Sequence, residues 1–216
     1  MKLLFTSYAS TPEYIDPERW LHRIRGYTGI LEELAKEHEV IAIERINYEG
    51  ELFKNGVRYI FQRQLRTLYF PLTQHRLIRS LKPDAVFVNG FIFPLQILQL
   101  RKVIGANTRL IVLHRAEKPY KGIKGWLQRK ADGAVDAYLF SSMDFANDWK
   151  QTIAINKIHE VIQGSSVFSM EDREAARQAT GVTGEPAFLW VGRLDANKDP
   201  LTILKAFAKY SMSCLV

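Results

Sequence analysis

The sequence predicts an α/β protein built on a doubly wound, mainly parallel sheet. Three observations lead there. Short apolar, β-branched runs alternate with amphipathic stretches of helical length from the first residues onward. Most of these runs are apolar throughout, which suits strands buried on both faces by flanking helices. Hydrophobic residues also make up 47% of the 216, enough for a sizeable core and too many for a disordered chain.

Taken in order, LLFTSY (3–8) is the first strand and GILEELAKEH (29–38) a helix ending in charge. EVIAIERI (39–46) and VRYIFQ (57–62) are strands, and a long helix follows over about residues 65–81. DAVFVNG (84–90) is a strand, PLQILQLRKVIG (94–105) a helix and RLIVLH (109–114) a strand. Next come a helix at 123–135, the extended AYLFSS (137–142), a helix at 143–154 and the extended IHEVIQG (158–164). Residues 164–186 break this rhythm. They are small and polar, with one short helix-forming run, EDREAARQA, and with Gly181, Gly184 and Pro186 as punctuation. The chain therefore reads as a first domain over 1–168, a linker over 169–186 and the start of a second domain over 187–216. There AFLWV (187–191) opens a new strand, and a Gly-Arg turn and charged loop lead into a helix.

Cys214 is the single cysteine, so the chain can form no internal disulfide and no thiolate metal cluster, which fits a reducing compartment. The amino-terminal MKLLFTSYASTPEY has too short an apolar run for a signal peptide. FIFPLQILQL (91–100) is interrupted by Pro94, Gln96 and Gln99, so it does not span a bilayer. A soluble, cytoplasmic protein is expected. Its excess of positive charge is concentrated: residues 58–130 hold 15 Lys and Arg against 2 Asp and Glu. Such a run is either a solvated face or a surface for phosphates, whether of nucleic acid, anionic lipid or a phosphorylated substrate. No nucleic-acid motif accompanies it, so nucleic acid is not the expected partner. Tyr59, Phe61, Tyr69 and Phe70 interleave with the charge and suit docking on the inner face of an anionic membrane.

In an open parallel sheet, ligands sit beyond the carboxyl ends of the strands. After the first strand a long loop carries Arg25, Gly26, Tyr27 and Gly29 ahead of a helix. These glycines either let backbone approach an anion at the helix start or simply shape a turn. No Gly-x-Gly-x-x-Gly follows that strand, which weakens a dinucleotide reading. Asn89 and Gly90 follow another strand, and His114, Arg115 and Glu117 follow a third. A lone histidine is more often structural, but His114 ends a strand beside an arginine and a glutamate, where it can bind a sugar hydroxyl. Arg115 is placed to hold an anionic group of an acceptor. No histidine pair has metal-ligand spacing, so no metal is expected. Arg193 and Lys198, five residues apart in the second domain's first loop, either clamp a diphosphate or line an ordinary solvated loop.

The stretch VGRLDANKDPLTILKAF resembles the start of the second domain of family 4 glycosyltransferases, retaining enzymes of the GT-B fold. LIVLHRAEKP, AYLFSS and HEVIQGSSVFS precede it in the matching order, so the resemblance runs along essentially the whole chain. It implies two Rossmann-like domains, the first binding the acceptor and the second a nucleotide-sugar donor. Arg193 and Lys198, with Gly26 opposite, would then contact the donor diphosphate in place of a metal, and His114 would lie at the reacting centre. Tyr27, Asn89, Gly90, Arg115 and Glu117 would line the acceptor side, for a saccharide or lipid-linked acceptor of the cell envelope. Two departures stand out. Many relatives have Lys-Gly where this chain has Lys198-Asp199, and the family's later glutamate pair has no counterpart here. With one strand and one helix of the second domain, this chain is expected not to transfer sugar by itself and to self-associate through that unit. The alternatives are a non-catalytic binding domain and a basic nucleic-acid-binding protein.

Overall fold

The computed structural model describes residues 1–63, 69–166, 168–192, 194–196, 198–209 and, as backbone only, 214–215. It divides into two compact units, Met1–Ser166 and Val167–Val216. In the first, β1 (Lys2–Thr6) leads to α1 (Pro17–Arg23), α2 (Arg25–Leu34) and β2 (Glu39–Arg45). A hairpin of β3 (Gly50–Lys54) and β4 (Val57–Gln62) follows, then α3 (Leu72–Leu81) and β5 (Ala85–Asn89). The unit continues through α4 (Pro94–Ile104), β6 (Arg109–Leu113), α5 (Gly122–Asp132), β7 (Ala137–Phe140), α6 (Met143–Asn147) and β8 (Ile158–Glu160).

These eight strands make one sheet in the order β3-β4-β2-β1-β5-β6-β7-β8, parallel except for the β3–β4 pair. Successive side chains on a strand point to opposite faces, so β1 feeds two cores. Leu4 packs with Ile41, Val86, Leu110, Ile78 and Ile97 on one face, and Leu3 and Phe5 pack with Val40, Ala42, Leu21 and Leu31 on the other. Each buried Leu, Ile, Val or Phe among them contributes about 1.5–3 kcal/mol by leaving water. The chain runs outward from β1 toward β2 and β4, then returns to start β5 on β1's other side. That reversal opens a crevice at the carboxyl ends of β1 and β5.

Several elements differ from the sequence reading. Gly26, Tyr27 and Gly29 belong to α2 itself and not to a loop ahead of it. A separate helix, α1, occupies part of that loop; Pro17 begins it, and the Asp16 carboxylate accepts from the Glu18 and Arg19 amides at 2.9 and 3.3 Å. The antiparallel edge strand β3 was not expected. It turns into β4 through Asn55 and Gly56, both at positive φ. The helix expected over 65–81 begins only at Leu72, because Pro71 disfavours helical backbone in the residue before it; residues 64–68 lie outside the described ones. The helix expected over 143–154 ends at Asn147 and gives way to turns that bury Trp149. Tyr59 and Phe61, proposed as membrane aromatics, are each 1% exposed and belong to the core, since β4 turns them toward α1 and α2.

In the second unit, α7 (Arg173–Thr180) carries the helix-forming run and ends at Gly181 in the left-handed conformation. β9 is shorter than expected, Ala187–Phe188, and pairs in parallel with β10 (Cys214–Leu215) after α8 (Pro200–Phe207). The two strands form a sheet of their own.

Candidate functional site

A cleft of about 480 Å³ opens at the strand ends beside β1, β2 and β5, lined by Ser7, Tyr27, Glu44, Arg45, Asn89 and Arg115 among others. Three residues expected on the acceptor side meet there. The Asn89 amide donates to the Tyr27 hydroxyl at 3.1 Å, and Arg115 donates to the Asn89 carbonyl oxygen from Nη2 and Nε at 2.8 and 3.2 Å. The Arg115 guanidinium also lies 5.2 Å from the centre of the Tyr27 ring. Each group thus fixes the next, and the outer face of the trio stays open to a ligand. Burial raises the Tyr27 phenol above its ordinary pKa, so it stays protonated as a hydrogen-bond donor.

Gly90 and Glu117 act one step behind this trio. One Glu117 carboxylate oxygen accepts from the Phe91 amide at 2.6 Å, and the other accepts from the Arg115 amide. Gly90, at φ +85°, leaves just enough room: a Cβ there would stand 3.0 Å from the Glu117 carboxylate. The glutamate therefore ties the loop after β5 to the loop after β6, which carries Arg115.

His114 follows β6 and is 3% exposed. Its ring lies on Phe140 at 4.3 Å. Nδ1 faces the Ala116 amide at 3.3 Å and Nε2 faces the Glu117 carbonyl at 2.9 Å. This network assigns the proton to Nε2, which donates to the carbonyl while Nδ1 accepts. The Trp149 indole N–H lies 3.1 Å from Nε2 and 3.2 Å from the same carbonyl, and with Nε2 protonated it donates to the carbonyl. Both imidazole nitrogens are thus engaged within the chain, and His114 braces the loop of Arg115 and Glu117.

The Gly26 carbonyl accepts from the Ser165 amide at 2.8 Å and its hydroxyl at 3.1 Å, pinning the segment after β8 to the first turn of α2. In the second unit, Lys198 is exposed and its amide is held by Asp195. Asp199 adopts φ 41°, the left-handed region that glycine enters without strain, and caps α8 by accepting from the Thr202 amide at 3.4 Å, with a second bond from the Thr202 hydroxyl at 2.7 Å. The departure from Lys-Gly is thereby accommodated. Arg193 lies outside the described residues.

Trp20, Glu44 and Arg45 line the cleft too, and the sequence reading passed over them. The Trp20 indole donates to Glu44 at 3.0 Å. Burial pushes the Glu44 carboxyl up to about 7, against the opposing pull of that hydrogen bond and of Arg115. A larger hollow, about 740 Å³, lies between α1, α2 and β4. It is away from the strand ends, and Lys54 and Glu18 on its wall pair with each other. Among the described residues no three His, Cys, Asp or Glu side chains group as a metal site, and no helix is long and apolar enough to cross a membrane.

No family profile matches the sequence, and no curated protein matches it. Solved structures do match. Sucrose-phosphate synthase from Thermosynechococcus elongatus superposes with a TM-score of 0.67 at 13% identity, over 99% of this chain and 61% of that one. Anabaena HepE in complex with UDP-glucose gives 0.62 at 14% identity, over 100% and 59%. The lipopolysaccharide outer core galactosyltransferase WaaB gives 0.57 at 14%, over 100% and 60%. These neighbours are glycosyltransferases of the GT-B fold, and this chain has the fold of their amino-terminal part. It spans about three fifths of their length.

Proposed function

We propose that the chain is part of a retaining glycosyltransferase that moves a sugar from a nucleotide donor to a saccharide or lipid-linked acceptor. The observation that carries this reading is the Tyr27–Asn89–Arg115 trio in a cleft at the sheet's switch point, on a fold whose neighbours include a protein captured with UDP-glucose. The first unit takes the acceptor. Its fixed amide, phenol and guanidinium suit a sugar's hydroxyl groups, which both donate and accept. The second unit belongs to the donor side, where Arg193 and Lys198 neutralise the diphosphate as it departs, with no metal required. His114 acts near the reacting centre, at least through the loop that it braces.

The basic segment over 58–130 suits an anionic membrane. Tyr69, Phe70 and Leu72, 52–69% exposed, and Ile123 and Trp126 on α5, 81% and 51% exposed, supply the apolar contacts in place of Tyr59 and Phe61.

The test is binding of a panel of mono- and oligosaccharides to the chain, followed by calorimetry. Arg115→Ala and Asn89→Ala are expected to weaken the best binder about tenfold each, since each removes a fixed polar contact of about 1.5 kcal/mol. Unchanged affinity in both variants refutes the acceptor cleft. A non-catalytic binding module would bind equally well; it differs in giving no transfer once a complete second domain is supplied.

A further inference from the structure

Arg45 closes β2, and its side chain is 3% exposed. Burying a guanidinium is costly unless a counter-charge accompanies it. Here none does. Nη1 donates to the Gln74 carbonyl oxygen at 3.3 Å, and Nε has no hydrogen-bond partner. The one charged neighbour in sequence, Glu44, is turned to the opposite face of the sheet by strand alternation and is bonded to Trp20.

The surroundings hold the cation in place without neutralising it. Gln74 is fully buried, and its amide donates to the Thr6 hydroxyl at 2.7 Å and the Ser7 carbonyl at 3.1 Å. Its carbonyl end is thereby aimed at Arg45. The nearby His75 is held neutral by burial, with its Nε2 at 2.8 Å from the Tyr8 hydroxyl. Arg45 lines the cleft together with Ser7 and Thr11, and Arg23 and Arg115 add two further cations to the wall against the single carboxylate of Glu44. The Ser7 hydroxyl oxygen accepts from the Ala9 amide at 3.1 Å, so its own hydrogen remains free to donate inward.

We propose that Arg45 is an anion-binding residue and that the saccharide taken by this cleft carries an anionic oxygen group, a phosphate or a carboxylate. The group supplies the counter-charge that the fold withholds, and the guanidinium's planar fork suits either one. For the saccharide, this inference rests on the acceptor reading above; for the anion, it rests on Arg45 alone.

The experiment measures binding of a hexose, its 6-phosphate, the corresponding hexuronate and inorganic phosphate to the wild-type chain and to Arg45→Lys and Arg45→Gln, with circular dichroism as the check on fold. The expected result is that one charged hexose binds the wild type at least ~tenfold more tightly than the neutral one. Which of the two does so separates phosphate from carboxylate. In Arg45→Gln the preference for the charged hexose vanishes, and Arg45→Lys keeps part of it. Equal affinity for charged and neutral hexoses in the wild type overturns the proposal, and so does a preference that survives in folded Arg45→Gln. Arg45-dependent binding of inorganic phosphate with no binding of any hexose upholds the anion site and sinks the acceptor reading.

Discussion

Glu44 and His75 flank the sheet's strand ends and respond to pH with opposite sign. Burial lowers the His75 pKa to about 4, whereas the unfolded chain takes up that proton near 6.5. The unfolded state therefore binds more protons between those values, and stability falls as pH drops through the window. Glu44 is raised from 4.5 to about 7, so the folded state holds the extra proton and stability falls as pH rises from 4.5 to 7. Glu44→Gln is expected to stabilise the first unit at pH ~8 by about 1–2 kcal/mol, below the full linkage value because the side chain is partly open to the cleft, and to change little at pH ~4. Urea denaturation at the two pH values checks this, and equal effects at both would contradict it. Tyr27, expected in a loop, lies in α2, whereas Asn89 and Arg115 were legible in sequence because they stand at the carboxyl ends of strands. Glu44 and Arg45 were not, because charges closing an apolar run look like a solvated strand end. Only the register of β2 shows that one is held by Trp20 and the other buried. His114 was legible as a residue of consequence, but a sequence carries no sign that Ala116, Glu117 and Trp149 crowd both its nitrogens.

The helix α2 gives a paired test. A Cβ on Gly29 would stand 2.3 Å from the Ser165 hydroxyl oxygen and 3.0 Å from the Ser165 Cβ, whereas one on Gly26 meets nothing nearer than 3.7 Å. Gly29→Ala should therefore destabilise the first unit by roughly 1–3 kcal/mol through overpacking. Gly26→Ala should stabilise it by about 0.5 kcal/mol, the ordinary gain from replacing a helical glycine. Denaturant midpoints that move the same way in both variants would contradict the packing seen around Ser165. On α5, Ile123→Ser with Trp126→Ser should reduce sedimentation with anionic vesicles, while Tyr59, buried, has no part in it. Unchanged sedimentation would remove α5 from the membrane proposal. Most elements were legible because their apolar periods differ, two for strands and 3.6 for helices. Those missed were short and marked by caps and turns instead: Asp16-Pro17 opens α1, and Asn55-Gly56 joins β3 to β4.

At the scale of the molecule, the two units differ in how well they bury apolar surface. The first carries a core on each face of its sheet. In the second, Phe188 meets Phe207 edge to face at 5.2 Å, yet Leu189, Val191, Leu194 and Leu201 are 62–84% exposed. Chymotrypsin is expected to cut at Phe168 or Met170, 81% and 102% exposed, and to leave a folded first unit. Light scattering should show concentration-dependent association that this cleavage removes; association that persists afterward places the contact in the first unit. The bonds between Ser165 and Gly26 join residues 139 apart. A ribosome adding ~5–20 residues per second needs roughly 7–28 s to travel between them. Throughout that interval the nascent chain holds α2 without its Ser165 anchor, so the cleft wall that contains Tyr27 is secured only near the end of the first unit's synthesis.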